Sequence, residues 1–158
     1  MSYIYQTGMK GRTIFARILP GSELIESIKK ICMENNIEIA YISTCIGSLE
    51  KVSFVYAVKD EERYYKIKYH EPVVMIRPIE FLGAQGIIAR NSNGEYQGHF
   101  HAQFSDENMN VYGGHLLDSG NIVLATIELI LNEIIDVKIK REYHKASGFS
   151  FFEPTDKE

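Results

Sequence analysis

Three of the five histidines in this sequence lie close together in its second half. His99 and His101 are separated by a single residue, and because successive side chains of a β-strand point to opposite faces, the two would share one face. A run of turn-forming residues, 105–108, follows, and a second strand-like run, 109–117, comes next. The pattern predicts a β-hairpin that carries His99, His101 and His115.

The position of the turn predicts which residues of the hairpin face one another. If the chain reverses at the middle of the turn, the positions paired across the hairpin add to roughly 214, so His115 lies opposite His99. Gly113 then lies opposite His101. Directly opposed residues share a face, with Cβ atoms about 4.5–5.5 Å apart. We therefore expect the three imidazoles to converge, and we expect Gly113 and Gly114 to leave open space beside them.

Three neutral imidazoles on one rigid hairpin are a suitable binding site for a divalent metal. Zinc binds histidine nitrogens at about 2.0–2.1 Å, and it commonly takes three protein ligands with one open position. Imidazole also suits copper, nickel and iron, so the residues do not identify the metal. A second interpretation is open at this point, because a His-x-His pair on a polar strand face can also be simply solvated.

The motifs around these histidines resemble those of a known family. The signature of the bacterial and archaeal PPC domain (plants and prokaryotes conserved domain) is similar to three segments of this chain, which are GHFHAQFSD, VYGGHLLDSG and TIELILNE in that order. The family is also similar to the N-terminal run RTIFARILPGSELIESIKK and to the central run PIEFLGAQGIIA. The resemblance therefore covers nearly the whole chain.

The resemblance implies a fold, an assembly and a metal site. The fold is an α+β domain, which we expect to consist of a largely antiparallel sheet with one or two packed helices. The family usually forms homotrimers, and its metal site is built from three histidines that correspond here to His99, His101 and His115. We take Zn2+, or another divalent transition metal, as the expected cofactor. Prokaryotic members are generally labelled DNA-binding proteins, so the resemblance also implies DNA as a partner.

The composition limits the classes of protein to consider. A chain of 158 residues is most naturally a single domain, residues 1–158, with a proper core. It has 17 basic and 21 acidic residues and a formal charge of −4, which opposes broad, unaided nucleic-acid binding. No apolar run is long enough to span a bilayer and the first residues lack a secretory pattern, so we expect a cytoplasmic protein without membrane contact. Cys32 and Cys45 are expected to be reduced core residues.

The remaining sequence predicts one helix and a series of strands. The helix would have Ser22 as its N-cap and apolar residues on one face at helical spacing. The predicted strand regions are 3–19, 37–46, 52–58, 64–69, 73–79, 81–89, 122–130 and 137–143, with a turn at Gly47-Ser48. Phe149, Phe151 and Phe152 follow the last strand and are expected to cover the core or to contact a neighbouring subunit.

Glu128 is a carboxylate in a strand that is otherwise largely apolar. If strand 122–130 returns beside the strand of His115, Thr126 and Glu128 share the histidine face. Glu128 could then accept a hydrogen bond that orients a ligand histidine, pair with a cation across a subunit interface, or serve as the candidate catalytic base beside a metal-bound water. The family that this chain resembles also has a glutamate at this place in its motif.

Two further groups of residues have a solvated interpretation beside a functional one. The first group is basic and comprises Arg63, Lys66, Lys68, Lys138, Lys140 and Arg141. These side chains could form a basic stripe for nucleic acid, although lysine at a sheet edge also prevents edge-to-edge pairing. The second group is His70 and His144, which stand apart from the other histidines and are expected to be solvated.

Two functions are consistent with these observations. The first is a non-enzymatic, metal-binding homotrimer that acts as a binding or regulatory module, with DNA as the partner that the resemblance implies. The second is a zinc-dependent hydrolase or hydratase of a small molecule held at a subunit interface, with Glu128 or Asp118 moving protons. A third interpretation also stays open, in which the metal only stabilises the hairpin or the trimer.

Overall fold

A computed structural model describes residues 3–155 of the chain. In order, its elements are β1 (Met9–Ile18), α1 (Leu24–Glu34), β2 (Ile39–Val55), β3 (Ala57–Lys59), β4 (Ile67–Tyr69), β5 (Val73–Arg90), β6 (Tyr96–Asp106), β7 (Val111–Leu116), β8 (Ile122–Ile135), β9 (Ile139–His144) and β10 (Phe149–Pro154). The predicted α+β class is confirmed in part, because these residues form a mostly antiparallel β structure with a single short helix. Within the same range, no helix is long and apolar enough to cross a membrane.

Six strands form the main sheet, in the spatial order β1-β8-β2-β5-β6-β7, and all of its pairings are antiparallel. The end of β2 also pairs with β7, where Phe54 faces Leu116 and Val55 faces His115. Strands β2, β5, β6 and β7 therefore close into a ring. The inner side chains of the ring are apolar, and Phe54 packs edge to face on Phe104 with ring centroids 5.0 Å apart.

Helix α1 packs one face on the apolar core. Its buried residues are Leu24, Ile25, Ile28 and Cys32. The predicted N-cap, Ser22, is wrong, because Glu23 caps the helix and its Oε2 accepts the backbone N–H of Glu26 at 2.8 Å. Oε1 of Glu23 also accepts the N–H of Asn121 at 3.0 Å. The longer carboxylate side chain thus joins the start of the helix to the loop before β8, which the sequence pattern did not indicate.

Strands β2 and β5 continue through positions where the sequence predicted interruptions. The turn predicted at Gly47-Ser48 is wrong, because Gly47 adopts φ 147° inside β2 at an irregularity in the pairing with β8. A Cβ at Gly47 would lie 2.0 Å from the carbonyl oxygen of Thr126, so only glycine fits. The break predicted between 73–79 and 81–89 is also wrong. Pro78 lies at a register shift between β5 and β2, where the missing N–H costs no regular ladder bond.

Two small hairpins lie outside the main sheet, one formed by β3 with β4 and the other by β9 with β10. The predicted strand 52–58 is divided between the end of β2 and β3, the predicted strand 64–69 is shortened to β4, and β10 was not predicted as a strand. Phe149 and Phe151 of β10 pack on Tyr69 and Tyr65, with ring centroids 5.1 and 6.3 Å apart. These phenylalanines therefore join the two hairpins to each other.

Both cysteines are buried and free, as the sequence predicted. Burial raises the pKa of the Cys32 thiol and of the Cys45 thiol to about 12. At neutral pH the thiols stay protonated, and a protonated thiol is neither a nucleophile nor a metal ligand. The cysteines therefore belong to the core and take no part in a reactive site.

Glu133 is a buried acid on β8 whose charge is balanced by Arg12 of β1. Its carboxylate accepts hydrogen bonds from the backbone N–H of Arg12 at 3.0 Å, from Nε at 2.8 Å and from Nη2 at 2.9 Å. The guanidinium hydrogen bonds are the largest cause of a pKa of about 2 for Glu133. The preceding residue, Gly11, permits this approach, because a Cβ there would lie 2.6 Å from Oε2 of Glu133.

We expect Glu133→Gln to remove a pH-dependent part of the stability. The pKa of Glu133 in the folded protein lies below its ordinary value of 4.5, so this stabilisation is present above that pH and is lost as the pH falls towards about 2. Urea unfolding should show that the variant loses about 2 kcal/mol at neutral pH and that its free energy of unfolding falls less steeply in acid. Glu142→Gln, at an exposed acid, is the control. Parallel pH profiles for Glu133→Gln and the unmodified chain would contradict this account.

Candidate metal centre

The three histidines lie on adjacent strands, as the sequence predicted. His99 and His101 belong to β6 and His115 belongs to β7. The predicted pairing of His115 with His99 is wrong by two residues, because His115 pairs with His101. A shift of two residues keeps each side chain on its own face of the sheet, so the three imidazoles still converge.

The turn between β6 and β7 explains the shifted register. Asp106 donates its N–H to the carbonyl of Asn110, and its own carbonyl accepts the N–H of Met109. The pairing of His101 with His115 places the centre of the reversal at Asn108, and the next residue, Met109, adopts φ 63°. The Asp106 carboxylate fixes this turn by accepting the N–H groups of Asn108 and Asn110 and the hydroxyl of Tyr112. The turn residues were visible in the sequence, but this hydrogen-bond pattern was not.

The imidazoles are close enough together to share one ion. One nitrogen from each of His99, His101 and His115 lies within 4.8 Å of the others, and Nε2 of His99 lies 3.1 Å from Nε2 of His101. Nitrogens around a tetrahedral zinc ion are about 3.4 Å apart at ordinary bond lengths, so small side-chain movements suffice. Nδ1 of His115 is buried and has no hydrogen-bond partner among the described residues. Such orphaned buried atoms are uncommon, and the donor set fits a divalent transition metal.

The surroundings of His99 and His115 favour the neutral form of these two imidazoles. Burial is the main cause that lowers the pKa of His115 to about 4, with smaller contributions from His99, His101 and Arg141. Burial, followed by His101 and Arg141, also lowers the pKa of His99. A neutral imidazole keeps one nitrogen lone pair for a metal. His99 and His115 are therefore in the protonation state that a metal ligand requires at neutral pH.

Gly114 allows β7, and with it His115, to approach β2. A Cβ at Gly114 would lie 2.5 Å from the carbonyl oxygen of Val55 and 2.8 Å from Cδ2 of Phe54. The open space predicted beside Gly114 is thus partly filled by β2. Glycine serves here for a close approach of two backbones, and that approach closes the ring of strands behind the histidines.

A cavity of about 500 Å³ lies beside the histidines. Its wall includes five aromatic side chains, which are Tyr56, Tyr65, Tyr69, Phe149 and Phe151. Tyr69 joins this wall to the histidines, because its ring centroid lies 5.3 Å from that of His115 and 5.1 Å from that of Phe149. No carboxylate is among the described residues that line the cavity. The volume and the apolar wall are typical of small-molecule sites.

Sequence reasoning missed this aromatic wall, because its residues come from separate segments of the chain. Tyr56 and Tyr69 lie near the β3–β4 hairpin, and Phe149 and Phe151 lie on β10. They meet only because the two small hairpins pack on each other. The one available signal was the density of aromatic residues in both segments.

Arg141 of β9 belongs to the basic group that the sequence predicts as a nucleic-acid stripe or a solvated edge, and the structure places its guanidinium close to the histidines. Nη1 donates to the carbonyl of Gly98, the residue before His99, and Cζ lies 5.6 Å from the ring centroid of Phe152. Its charge helps to lower the pKa of both His99 and His115. Nε is buried and has no hydrogen-bond partner among residues 3–155. Arg141 therefore stands beside the cluster with one unused donor.

The other five members of the predicted basic stripe lie close to acidic side chains. The pairs are Arg63–Asp60 at 3.9 Å, Lys68–Asp60 at 3.3 Å, Lys66–Glu61 at 3.6 Å, Lys138–Glu38 at 3.4 Å and Lys140–Glu142 at 2.6 Å. Their charges are locally balanced, so they do not form a continuous positive surface. His70 and His144 are exposed, as predicted, and lie outside the histidine cluster.

The structure places Thr126 and Glu128 on a different part of the sheet from the histidines. Strand β8 lies between β1 and β2, and β2 and β5 separate it from β6. The predicted pairing of 122–130 with the strand of His115 is therefore wrong, because the end of β2 takes that edge of β7. Glu128 instead faces Arg17 and Ile46 across its neighbouring strands. Nε of Arg17 donates to the Thr126 hydroxyl at 3.0 Å.

Comparison with known proteins identifies the family. Residues 5–135 match the Plants and Prokaryotes Conserved (PCC) domain. This chain belongs to the PCC domain family. The match covers most of the chain and includes the β6–β7 hairpin with its three histidines, so the resemblance inferred from the sequence motifs is confirmed.

Solved structures resemble this PCC domain over nearly its whole length. A plant- and prokaryote-conserved (PPC) protein from Pyrococcus horikoshii is 27% identical, with a TM-score of 0.80 over 98% of this chain and 99% of that chain. A metal-containing protein from Archaeoglobus fulgidus is 19% identical, with a TM-score of 0.79 over 95% of this chain and 99% of that one. A candidate DNA-binding protein from Bacteroides thetaiotaomicron is 18% identical, with a TM-score of 0.71 over 94% and 98% of the two chains. The last two likenesses establish the fold alone.

A curated relative is much longer than this PCC domain. The chain is 20% identical over 133 residues to a bifunctional protein GlmU from Synechococcus sp. (strain JA-3-3Ab). The match covers 84% of this chain but only 19% of that protein. The chain therefore spans about a fifth of the relative's length.

We expect Gly114→Ala to destabilise the PCC domain and to disturb the position of His115. The new methyl group would lie 2.5 Å from the carbonyl oxygen of Val55, so β7 must move away from β2. We expect a loss of about 1–3 kcal/mol in the free energy of unfolding, measured by urea titration. Gly83→Ala is the matched control, because a Cβ there meets nothing within 4 Å, and it should change stability by less than about 0.5 kcal/mol. Equal effects of the two substitutions would contradict the assigned role of Gly114.

Proposed function

We propose that this PCC domain binds a divalent transition metal, with zinc as the first ion to test, through His99, His101 and His115. The observation that carries the proposal is the convergence of one nitrogen from each imidazole within 4.8 Å. The neutral state of His99 and His115 and the unpartnered Nδ1 of His115 support it. The metal content named for the similar Archaeoglobus fulgidus protein is consistent with it.

The residues around the proposed ion suit binding better than acid–base chemistry. A zinc ion held by three histidines supplies a Lewis acid with one open position. The chain contributes the β6–β7 hairpin, the ring of Tyr69 beside His115 and an apolar wall. Because no carboxylate lines the cavity within residues 3–155, the domain lacks an evident general base there. We therefore propose a non-enzymatic binding or regulatory module, formed by the whole chain, 1–158, in the cytoplasm.

An exposed apolar surface supports self-association of the module, for which we propose a homotrimer. Phe15, Ile46 and Leu124 are 69%, 44% and 38% exposed. The strand registers place them on the same face as Glu128, beside Arg17. Clustered exposed apolar side chains often mark an interface, so we propose an interface role for Glu128 and Thr126. Sedimentation of Ile46→Glu as the same trimer as the unmodified chain would argue against this surface.

A metal-dependent hydrolase or hydratase is the second candidate function. The cavity that borders all three histidines favours it, because a substrate there would reach the open position of the metal. Two strands, β2 and β5, separate the strand of Glu128 from β6, and Asp118 is not among the residues that line the cavity. Metal-bound water would then have to act without either carboxylate. A screen of ester, amide and phosphoester substrates with equal rates for the unmodified chain and His101→Ala would eliminate this function.

DNA association is the third candidate, and it rests on likeness to proteins described as candidate DNA-binding proteins. The local pairing of five of the six predicted basic residues opposes it, as does the formal charge of −4. Binding through phosphates would weaken steeply with added salt. Absence of a gel shift at low salt with the metal present would remove DNA from the proposal.

We expect about one zinc ion per chain, bound through nitrogen ligands. Elemental mass spectrometry on untagged protein purified without chelator measures the content. His101→Ala should lower zinc affinity at least about tenfold, because it removes one of three ligands. His70→Ala, which removes an exposed histidine outside the cluster, is the matched control and should retain the zinc. Zinc bound equally well by His101→Ala, or no zinc after incubation of the unmodified chain with the ion, would refute the proposed site.

A further inference from the structure

Arg141 carries a positive charge beside the histidine cluster, and no carboxylate among residues 3–155 forms an ion pair with it. Its guanidinium contacts the neutral carbonyl of Gly98 and the ring of Phe152, and its buried Nε has no hydrogen-bond partner in the described part of the chain. A charged donor buried without a partner is costly. The region around Arg141 is therefore electrostatically suited to an anion.

The adjoining cavity is suited to the apolar part of a small molecule. It measures about 500 Å³, and its walls away from the histidines are aromatic or aliphatic. Tyr69 and Phe149 are nearly perpendicular, with an interplanar angle of 85°, so a third ring can stack on one and meet the edge of the other. Arg141 is not itself among the residues that line the cavity, but its Nη1 donates to the carbonyl of Gly98, the residue before the lining residue His99. No carboxylate is among the described residues that line the cavity.

We infer that the cavity binds a small aromatic monocarboxylate, with its ring against the aromatic wall and its carboxylate at the end where the histidines and Arg141 lie. Charge complementarity with Arg141 favours a ligand with a negatively charged group. The aromatic wall favours a ligand that also has an apolar part over a small anion without one. The inference rests on the proposed function in one respect, because a metal on the histidines would add a second positive charge at the same end. Nucleic acid does not meet these requirements, since its phosphates need several cations and the walls of this cavity away from the histidines are aromatic or aliphatic.

Three probes separate the contributions of charge and body. Isothermal titration calorimetry on the zinc-loaded full chain, and again after chelation, would use 3-phenylpropanoate, the uncharged 3-phenylpropan-1-ol and acetate. We expect the aromatic acid to bind at least about tenfold more tightly than the alcohol and at least about tenfold more tightly than acetate. The preference over the alcohol should persist without zinc, because Arg141 alone supplies a positive charge.

Two substitutions on the same strand test the assignment to Arg141. Arg141→Gln should weaken binding of the aromatic acid about tenfold and leave binding of the alcohol unchanged. Lys140→Gln removes an equal charge from a residue paired with Glu142 and should change neither affinity. Circular dichroism checks that both variants fold. If Arg141→Gln does not fold, the comparison of acid with alcohol on the unmodified chain decides the question.

Each outcome bears on one proposal at a time. Equal affinities for acid and alcohol would overturn this inference, and so would equal binding of the acid by Arg141→Gln and the unmodified chain. In either case the measured zinc content would still support the metal site. If the chain fails to bind zinc but keeps an Arg141-dependent preference for the acid, only the proposed metal site is overturned. Analytical ultracentrifugation measures self-association. If probe binding disappears as the chain self-associates, a second copy fills the cavity, and this inference is also overturned.

Discussion

The alternation of side chains along the β6–β7 hairpin is the constraint on which the site depends. One face of the hairpin enters the ring of strands, where Phe100, Phe104 and Leu116 are buried. The opposite face then has to carry His99, His101 and His115, because neighbouring residues of a strand point in opposite directions. A slip of one residue would expose the phenylalanines and bury the imidazoles. The cost of that exchange holds the histidines in register, so the apolar core determines the geometry of the polar site.

Local patterns in the sequence were sufficient for the hairpin but not for the arrangement of the sheet. The placing of His99, His101 and His115 on one face depends only on their spacing within one short segment. It is therefore correct although the predicted pairing was wrong by two residues. The place of Glu128 depended on which strand lies beside β7, and the end of β2 occupies that edge. This pairing joins residues about sixty positions apart, and no local periodicity encodes it. The wrong strand ends predicted at Gly47 and next to Pro78 have a related cause, because bulges allow a long strand to continue through residues that usually end a strand.

The site combines neutral imidazoles with one unpaired cation and an apolar wall. Burial lowers the pKa of His115 and of His99, which prepares the cluster for a metal. Arg141 adds to the same effect, yet its own charge is not balanced by any ion pair in the described chain. Two positively charged groups, an ion and a guanidinium, would thus lie at one end of an aromatic cavity. An anion would balance both charges, which connects the proposed metal site to the proposed ligand.

The central claim is that three imidazole nitrogens of one chain hold the metal. X-ray absorption spectroscopy at the zinc edge of the loaded protein tests it most directly. The account predicts three imidazole ligands at about 2.0–2.1 Å and one further light atom, with the imidazole signal reduced in His115→Ala. A spectrum that shows only oxygen ligands, or one that His115→Ala leaves unchanged, would contradict the account.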